Sequence, residues 1–411
     1  MKLLFFKQYL KSIFGSILII AAVNVVDAQE KIAFKPNKAL LKTIHRNFID
    51  ADKQYEFLKS HLPLDKFPKN YNPKTDQYEF SNSGWWCSGF YPGTLLYMYE
   101  ETKNKTDYDE AMRILKLLEK EKNNKTTHDL GFMMYCSFGN AERIAPKPEY
   151  KEILVTSAKS LSSRFNAKVG AIKSWDMKDP SDYYTIIDNM MNLELLFWAT
   201  KATGDSSFYK IAVTHANTTL KNHFRNDYSS YHVVNYNAQT GAVKKRMTAQ
   251  GFADESAWAR GQAWGLYGFT TMFRETKDHQ YLDQANHIAS FILNHPNLPK
   301  DKIPYWDFNA PNIPHALKDA SAAAIIASAL LELHEYVDRK TAKKYQAVAE
   351  TILKNLSNLT YKAAPGTNGG FLLQHSVGHT PAKSEIDVPL TYADYYFAEA
   401  MLRYQQLARK S

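Results

Sequence analysis

Two aspartates, Asp188 and Asp129, stand out as residues able to transfer protons. Asp188 lies in the segment 185–192, which is largely apolar and has no basic residue nearby in sequence. Burial in such a setting raises the pKa of a carboxyl group, whereas a helix N-terminus lowers it. Asp129 opens the neighbouring predicted helix, and its negative charge would raise the pKa of Asp188 further. The pair is therefore predicted to make one carboxyl group a proton donor near neutral pH.

The same aspartates also have a purely structural interpretation. Asp is a good helix N-cap because its carboxylate accepts hydrogen bonds from backbone N–H groups that a helix start leaves free. Four aspartates lie at or near predicted helix starts: Asp129, Asp188, Asp319 and Asp394. Capping is the simpler interpretation of any one of them, and the apolar setting is what sets Asp188 apart.

Aromatic and basic side chains accompany these acids. The tryptophans in or beside the long predicted links are Trp85, Trp86, Trp175, Trp258, Trp264 and Trp306. Such rings stack on sugars, although core packing explains part of the set equally well. Arg260 and Trp264 are four residues apart in a predicted helix and so share a face. Arg260 can hold a carboxylate with two hydrogen bonds; the alternative is a salt bridge to Asp254 or Glu255.

Histidines in the same regions do not form a recognisable metal site. His128, His232, His375 and His379 show none of the spacings typical of zinc proteins. The sequence also lacks a nucleophile elbow, a Walker loop and a dinucleotide-binding fingerprint, which removes support for esterase, nucleotide-binding and dehydrogenase functions. We therefore expect neither a metal nor a cofactor.

The elements that must position these residues are almost all predicted helices. An aromatic residue followed by Ala at helical spacing recurs at 108–111, 208–212 and 281–285, which indicates stacked helical hairpins. Six amphipathic segments are expected on the outside, near 38–60, 105–122, 150–166, 206–224, 279–294 and 340–356. Six segments apolar on more than one face are expected to be buried, near 89–101, 130–143, 187–203, 256–275, 319–336 and 391–408.

This alternation predicts an all-α fold, an (α/α)6 toroid in which six buried helices lie inside six exposed ones. An open solenoid is the alternative, but ring closure removes the end hairpins that an open array must cap. The longer links precede buried helices, at 61–88, 167–186, 225–255, 295–318 and 357–390. Because these links meet where the inner helices begin, we expect the active-site cleft at that end. Residues 231–236 alternate as a short strand does.

The first 28 residues have the pattern of a secretory signal peptide. Three lysines precede an apolar run at 13–26, and small residues place the cleavage after Ala28. The run is short for a membrane span of about 20 residues, although an uncleaved N-terminal anchor is the alternative. We expect residues 29–411 to form a single exported catalytic domain without stable membrane insertion. It would be periplasmic in a Gram-negative bacterium and secreted otherwise.

Charge points to an acidic partner. The formal net charge is +9, and the predicted signal peptide carries two of these charges, which leaves +7 on the mature chain. A positive surplus concentrates anionic ligands. No nucleic-acid-binding motif is recognisable, so an acidic polysaccharide is the better candidate. The two cysteines, Cys87 and Cys136, are too few for a disulfide scaffold, and the sequence leaves their pairing open.

Six segments together resemble the unsaturated glucuronyl hydrolases, glycoside hydrolase family 88. They are WCSGFYPG at 86–93, HDLGF at 128–132, IDNMMN at 187–192, WARGQAW at 258–264, DASAA at 319–323 and YADYY at 392–396. The likeness spans nearly the whole mature chain in order. It implies the same six-hairpin toroid and a substrate with a 4,5-unsaturated uronic acid at its non-reducing end, as polysaccharide lyases leave.

The resemblance also implies residue roles. The reaction is hydration of the C4=C5 vinyl ether, which differs from hydrolysis by two carboxylates flanking the anomeric carbon. Asp188 would protonate C4 and activate water, while Asp129 would tune it and contact sugar hydroxyls. The implied substrate-binding residues are Trp86, His128, Trp175, His232, Arg260 and Trp264. Trp85 makes the alignment of Trp86 ambiguous, and His375 and His379 receive no role.

Two other functions compete with this one. The unsaturated rhamnogalacturonyl hydrolases of family 105 share the architecture and the chemistry but act on pectin fragments; the Asp129 and Asp188 segments favour family 88. A glycan-binding protein on the same scaffold would not need both carboxylates. The sequence does not indicate which glycosaminoglycan is preferred, whether sulfate is tolerated, or the oligomeric state.

Overall fold

Helices dominate residues 34–411, the part of the chain that this computed structural model describes. The outer helices are α1 (Lys38–His61), α3 (Lys105–Leu118), α5 (Pro148–Ser162), α7 (Ser206–Asn222), α9 (His279–Asn294) and α11 (Arg339–Leu356). The inner helices are α2 (Phe90–Thr102), α4 (Asn140–Ile144), α6 (Leu193–Thr203), α8 (Ala259–Thr276), α10 (Ala320–Leu333) and α12 (Thr391–Lys410). The predicted alternation of exposed and buried helices is confirmed.

Two inner helices are not α-helical throughout. A π-helix, Gly131–Gly139, precedes α4, and a 3₁₀ helix, Ile187–Asn192, precedes α6. The Phe132 N–H donates to the Asn192 side chain at 3.0 Å instead of joining a regular helical ladder. A Cβ atom on Gly131 would lie 2.4 Å from the Asn192 Cα, so glycine permits this approach. The irregular turns thus join the helix starts that carry Asp129 and Asp188.

Most outer helices begin at a side-chain cap. The capping residues, each accepting a backbone N–H from the first turn, are Asn37, Asn104, Asp205, Asp278 and Asp338. Helix α5 begins with Pro148, which needs no N–H partner at that position. Among the inner helices, Asp319 caps α10, which confirms the capping interpretation for this residue.

The inner helices contact one another in sequence. Every residue of α10 is buried, and so is α8 from Ala259 to Phe273. Along the chain, α2 contacts the π-helix, which contacts α6 and the 3₁₀ turn; α8 follows, then α10 and α12. Helix α12 also contacts α2, so the last inner helix packs against the first.

Ion pairs link four of the inner helices, α6, α8, α10 and α12. Arg274 of α8 donates to both Glu332 oxygens of α10 at 3.0 Å, and it also binds Glu194 of α6. Arg403 of α12 binds Glu332 as well. These residues line a cavity of ≈ 540 Å³ that all six inner helices border. Such a buried network specifies which helices pair, because an unpaired charge there would be costly.

Short strands occupy the links that precede the inner helices. They form hairpins β1 (Phe67–Asn72) with β2 (Gln77–Ser81), β3 (Phe165–Asn166) with β4 (Ala171–Ile172), and β8 (Ser376–His379) with β9 (Ser384–Val388). The third sheet pairs β5 (Asp182–Ile186), β6 (Val233–Asn237) and β7 (Val243–Met247), all antiparallel. The strand predicted at 231–236 is therefore present as β6.

The remaining sequence expectations concern the cysteines, membrane insertion, the signal peptide and the number of domains. Cys87 and Cys136 are both free thiols, so they do not pair. Within residues 34–411, no helix is long and apolar enough to cross a membrane. The predicted signal peptide, residues 1–28, lies outside the described residues and stays a prediction, as does the single-domain assignment for 29–411.

Gly89 offers a test of the close packing between α2 and the π-helix. Its backbone is helical, with φ −79°, so Ala is conformationally allowed there. A Cβ atom would nevertheless lie 2.2 Å and 2.3 Å from the Phe132 and Met133 carbonyl oxygens. We expect Gly89→Ala to lower the free energy of unfolding by about 2 kcal/mol or more, measured by urea denaturation.

Gly265→Ala is the matched control, because the nearest atom to its added Cβ is Ile288 Cδ1 at 3.4 Å. Equal stability of the two variants would contradict the close approach of α2 to the π-helix.

Candidate active site

The eight predicted site residues come together where the inner helices begin. The strand pairing of Ile186 with Val233 places His232 beside Asp188, with His232 Nε2 3.6 Å from Asp188 Oδ2. The His232 ring contacts the Trp175 ring, with centroids 6.2 Å apart. Strand pairing, rather than helix packing, thus supplies one wall of the site.

The remaining residues join through aromatic contacts. Phe132 bridges Trp86 and Trp264, with ring centroids at 5.5 Å and 5.1 Å. Trp258 bridges His232 and Arg260, at 4.4 Å between ring centroids and 4.5 Å from the guanidinium carbon to its ring. The expected gathering of the links at this end is therefore present.

Asp188 is a buried carboxyl group. The residue is 6% exposed, and its Oδ2 atom has no hydrogen-bond partner within the described part of the chain. Burial raises its pKa to about 7; the positive charge of Arg260 acts against this shift, and the negative charge of Asp129 adds to it. Near neutral pH this group is present both as an acid and as a carboxylate, which suits a residue that gives and takes protons.

His232 faces Asp188 as a neutral donor. Its Nδ1 atom accepts the backbone N–H groups of Ala249 and Gln250 at 3.1 and 3.2 Å. The ring proton must therefore reside on Nε2, the atom that faces Asp188. Burial lowers the pKa of His232 well below its usual value, and the nearby Arg260 charge lowers it further. The ring can donate a hydrogen bond without carrying charge.

Asp129, the second carboxyl group of the pair, lies beside His128. The Asp129 side chain is 15% exposed, and the Thr127 hydroxyl donates to its Oδ2 atom at 3.0 Å. His128 Nε2 lies 3.5 Å from the same oxygen. Burial lowers the pKa of His128, although the Asp129 charge opposes this shift. Asp129 is thus the more accessible acid and Asp188 the more buried one.

Arg260 pairs with a carboxylate other than the two that the sequence suggested. Its partner carboxylate is Asp319, 3.2 Å from Nη1, and the proposed salt bridge to Asp254 or Glu255 is wrong. Those two acids bind Lys245 and Arg225 instead.

The Arg260 guanidinium is largely committed to the protein. Nη1 also donates to the Val377 carbonyl oxygen at 2.5 Å, while Nη2 donates to Gln250 at 2.5 Å and to the Gly378 carbonyl oxygen at 2.7 Å. The Nε atom has no hydrogen-bond partner among residues 34–411. Arg260 therefore places a fixed positive charge in the site without a free fork.

The tryptophans differ in what they can offer a ligand. Trp86 is half-buried and packs against Tyr392, with centroids 5.0 Å apart, whereas Trp85 is 38% exposed beneath the Lys69 ammonium. The aromatic cluster at the site thus contains Trp86. Trp264 is fully buried, and its indole N–H, which completes no hydrogen bond in the described chain, lies near enough to Asp188 to lower the pKa of that carboxyl group.

His375 and His379, which received no role from the sequence, have different surroundings in the structure. His375 pairs with Asp387 at 2.7 Å, which raises its pKa. Burial lowers the pKa of His379, and the charge of Arg260 lowers it further, so His379 lies nearer the site.

Asp394, the remaining candidate cap, accepts the backbone N–H groups of Leu372 and Leu373 at 2.9 Å and so anchors the link at 357–390. Within residues 34–411 no three His, Cys, Asp or Glu side chains are arranged to hold a metal ion.

Sequence reasoning missed several polar groups at the site. Gln250 binds Arg260, Thr127 binds Asp129, and the buried Tyr392 hydroxyl has no partner in the described chain. Tyr392 lay in a recognised motif, so its hydroxyl was detectable. Gln250 lies in a link whose path follows from strand pairing, and no local pattern marks it.

A buried acid with a pKa near neutrality, a neutral histidine donor, a fixed arginine and half-buried tryptophans define a helical acid–base enzyme suited to sugars. The comparisons with known proteins agree with this class. The family model Glycosyl Hydrolase Family 88 matches residues 63–408, and the chain belongs to this family.

Relatives and solved structures support the assignment over most of the chain. An unsaturated glucuronyl hydrolase of Formosa agariphila is 49% identical over 327 residues, covering 79% of this chain and 81% of that protein. An unsaturated chondroitin disaccharide hydrolase of Streptococcus pneumoniae is 32% identical, covering 78% and 81%. The crystal structure of an unsaturated glucuronyl hydrolase specific for heparin matches with a TM-score of 0.86 and 47% identity, covering 90% and 98%.

The raised pKa of Asp188 predicts a stability cost. The unfolded chain loses this proton near 3.8 and the folded chain near 7, so between these values the folded state binds more protons. Stability should therefore fall as pH rises through this window. Asp188→Asn removes the effect, and its advantage over the wild type should grow from pH 4.5 to pH 8 by about 3 kcal/mol.

Urea unfolding at both pH values measures this difference. Asp338→Asn is the control, because hydrogen bonds from Thr341 hold the pKa of this exposed carboxylate below its usual value, so it stays ionised between the two pH values. A stability difference between wild type and Asp188→Asn that does not change with pH would show that Asp188 ionises normally.

Proposed function

We propose that this protein releases 4,5-unsaturated uronic acid from the non-reducing end of lyase-generated glycosaminoglycan oligosaccharides. The observation that carries the proposal is the buried Asp188 carboxyl with a pKa of about 7 beside the more exposed Asp129. Membership of glycosyl hydrolase family 88 supports it, as do relatives named unsaturated glucuronyl hydrolase and unsaturated chondroitin disaccharide hydrolase.

The reaction is a hydration in which one carboxyl group acts twice. Protonated Asp188 gives its proton to C4, the C4=C5 electron pair forms the new C–H bond, and positive charge develops at C5. The ring oxygen shares this charge. The Asp188 carboxylate then takes a proton from the water that adds to C5, which restores the acid. The resulting hemiketal opens, and the glycosidic bond is lost in the rearrangement.

Neighbouring charges suit both steps. Burial keeps Asp188 protonated near neutral pH and the Asp129 charge adds to this effect, while Arg260 stabilises the carboxylate that exists between the two steps. His232 can donate from Nε2 to substrate oxygen, as can the free indole N–H of Trp264. Trp86 and Trp175 would pack on sugar faces, and His128 would bind hydroxyl groups beside Asp129.

Two structural assignments go with this function. The closed series of inner-helix contacts supports an (α/α)6 toroid, with residues 29–411 as its single catalytic domain. The N-terminal pattern supports export after cleavage at Ala28, to the periplasm of a Gram-negative cell or the medium otherwise. The mature N-terminus, determined by mass spectrometry of the secreted protein, tests this assignment.

Heparin-derived disaccharides are the first substrates to test, because the heparin-specific structure is 47% identical and the chondroitin relative 32%. Ultraviolet absorbance of the conjugated C=C–carboxylate follows consumption directly. We expect wild type to remove the absorbance and Asp188→Asn to be at least about 10³-fold slower, since general acid–base catalysis contributes about 10² to 10⁴-fold. Wild-type kcat/KM should fall as pH rises above about 7, where Asp188 loses its proton.

Chondroitin, hyaluronan and pectin fragments complete the panel. Turnover of pectin fragments alone would favour the rhamnogalacturonyl reaction instead. Full activity of Asp188→Asn would keep the function and overturn the assignment of the acid, and binding without turnover by wild type would indicate a glycan-binding protein.

Asp129 should contribute, after burial, to the alkaline limit of activity. Its negative charge raises the pKa of Asp188, so Asp129→Asn should move the alkaline limb of the kcat/KM profile to lower pH. Asp176→Asn is a suitable control, because this largely exposed acid pairs with Arg164 and Lys173 and is not among the groups that shift the pKa of Asp188. An unmoved limb in Asp129→Asn would mean that the two carboxyl groups do not interact.

A further inference from the structure

Asp319 lies at the junction of three elements that meet at the site. The residue is fully buried, and its Oδ1 atom accepts both the backbone N–H of Ser321, at 3.0 Å, and its hydroxyl, at 2.6 Å. The Val377 N–H of β8 points to the same oxygen at 3.4 Å. The other oxygen, Oδ2, accepts from Arg260 of α8. The cap of α10 uses only Oδ1, so the bond from Oδ2 to Arg260 is separate from capping.

Arg260 binds strand β8 as well as Asp319. Its two terminal nitrogens donate to the Val377 and Gly378 carbonyl oxygens as well as to Asp319. The guanidinium lies between the Trp258 and Tyr392 rings, 4.5 and 5.3 Å from their centroids. Within the described chain, the titratable groups that act on this guanidinium include Tyr392, Asp319, Asp188 and Glu385. The Arg260 charge in turn lowers the pKa values of His232 and His379, after burial. Among the carboxyl groups, only one is in direct contact within residues 34–411. Asp319 is the one that contacts it, so Asp319 determines where the charge sits relative to Asp188.

We propose that Asp319 is a positioning residue that acts on the reaction through Arg260, holding the guanidinium and the start of β8 in register beside Asp188. This inference rests on the proposed hydrolase function. A fixed arginine charge stabilises the Asp188 carboxylate between proton donation and proton return, and a displaced one does not.

The test is Asp319→Asn, assayed on unsaturated heparin disaccharide across pH. Asn keeps an acceptor oxygen for the α10 cap but loses the charge that holds Arg260. We expect kcat/KM to fall about 10-fold or more, as is typical when a group that orients a functional residue is removed. The alkaline limb should move to higher pH, because a released Arg260 no longer lowers the pKa of Asp188 as strongly.

The direction of that movement separates the mechanisms. If Arg260 stayed in place, removal of a negative charge would leave the limb unmoved or shift it to lower pH, and either result overturns the proposal. Arg260→Lys supplies a second check: the double variant should be no more than about 2-fold worse than Arg260→Lys alone, since Asp319 acts through the arginine. If the double variant instead lost kcat/KM by the product of the two single-variant losses, the proposal would be overturned.

Asp338→Asn is the matched control, because Asp338 caps outer helix α11 through the same kind of bond, to the Lys340 N–H at 2.8 Å. It should leave the pH profile unchanged. Asp319→Ser retains a cap if Asn does not fold. Wild-type inactivity on every unsaturated disaccharide would refute the proposed function, whereas an active wild type with an unchanged Asp319→Asn profile would refute only this inference.

Discussion

The burial of one carboxyl group, that of Asp188, is the constraint around which the rest of the site is arranged. A carboxylate removed from water is costly unless it is paired, and Asp188 Oδ2 has no hydrogen-bond partner within residues 34–411. The protein accommodates this by keeping the group protonated near neutrality. Two neighbouring charges then adjust the pKa of Asp188: Arg260 lowers it and so favours the carboxylate, and Asp129 raises it and so favours the acid. Catalytic competence and a local stability cost have the same physical origin.

The helical scaffold makes this arrangement possible by bringing six helix starts to one end. Two clusters of polar side chains have different chemistry. In the cavity that the inner helices border, Arg274 and Arg403 pair with Glu194 and Glu332 in a network that specifies helix neighbours. At the site, polar atoms without a hydrogen-bond partner in residues 34–411 remain on Asp188, His232 and Trp264. The paired groups stabilise the packing, and the groups without a partner are available to a ligand.

Links, more than helices, decide the protonation and orientation of the site residues. The amides of residues 249 and 250 bind His232 Nδ1 and so assign its proton to Nε2. The β8 strand occupies the Arg260 fork through two carbonyl oxygens. An arginine held in this way supplies charge with little reorganisation during the reaction, which is the form of electrostatic stabilisation that enzymes use most.

The sequence by itself determined the helices and the candidate acids, because both depend on local patterns. Apolar spacing marked all twelve helical segments, and the apolar neighbours of Asp188 marked its burial. Tertiary structure decided what local patterns do not contain. The partner of Arg260 is 59 residues away in Asp319, Trp86 rather than Trp85 joins the aromatic cluster, and the two cysteines lie unpaired. These outcomes depend on which distant helices and links meet, and contact between distant segments leaves no periodic trace in either one.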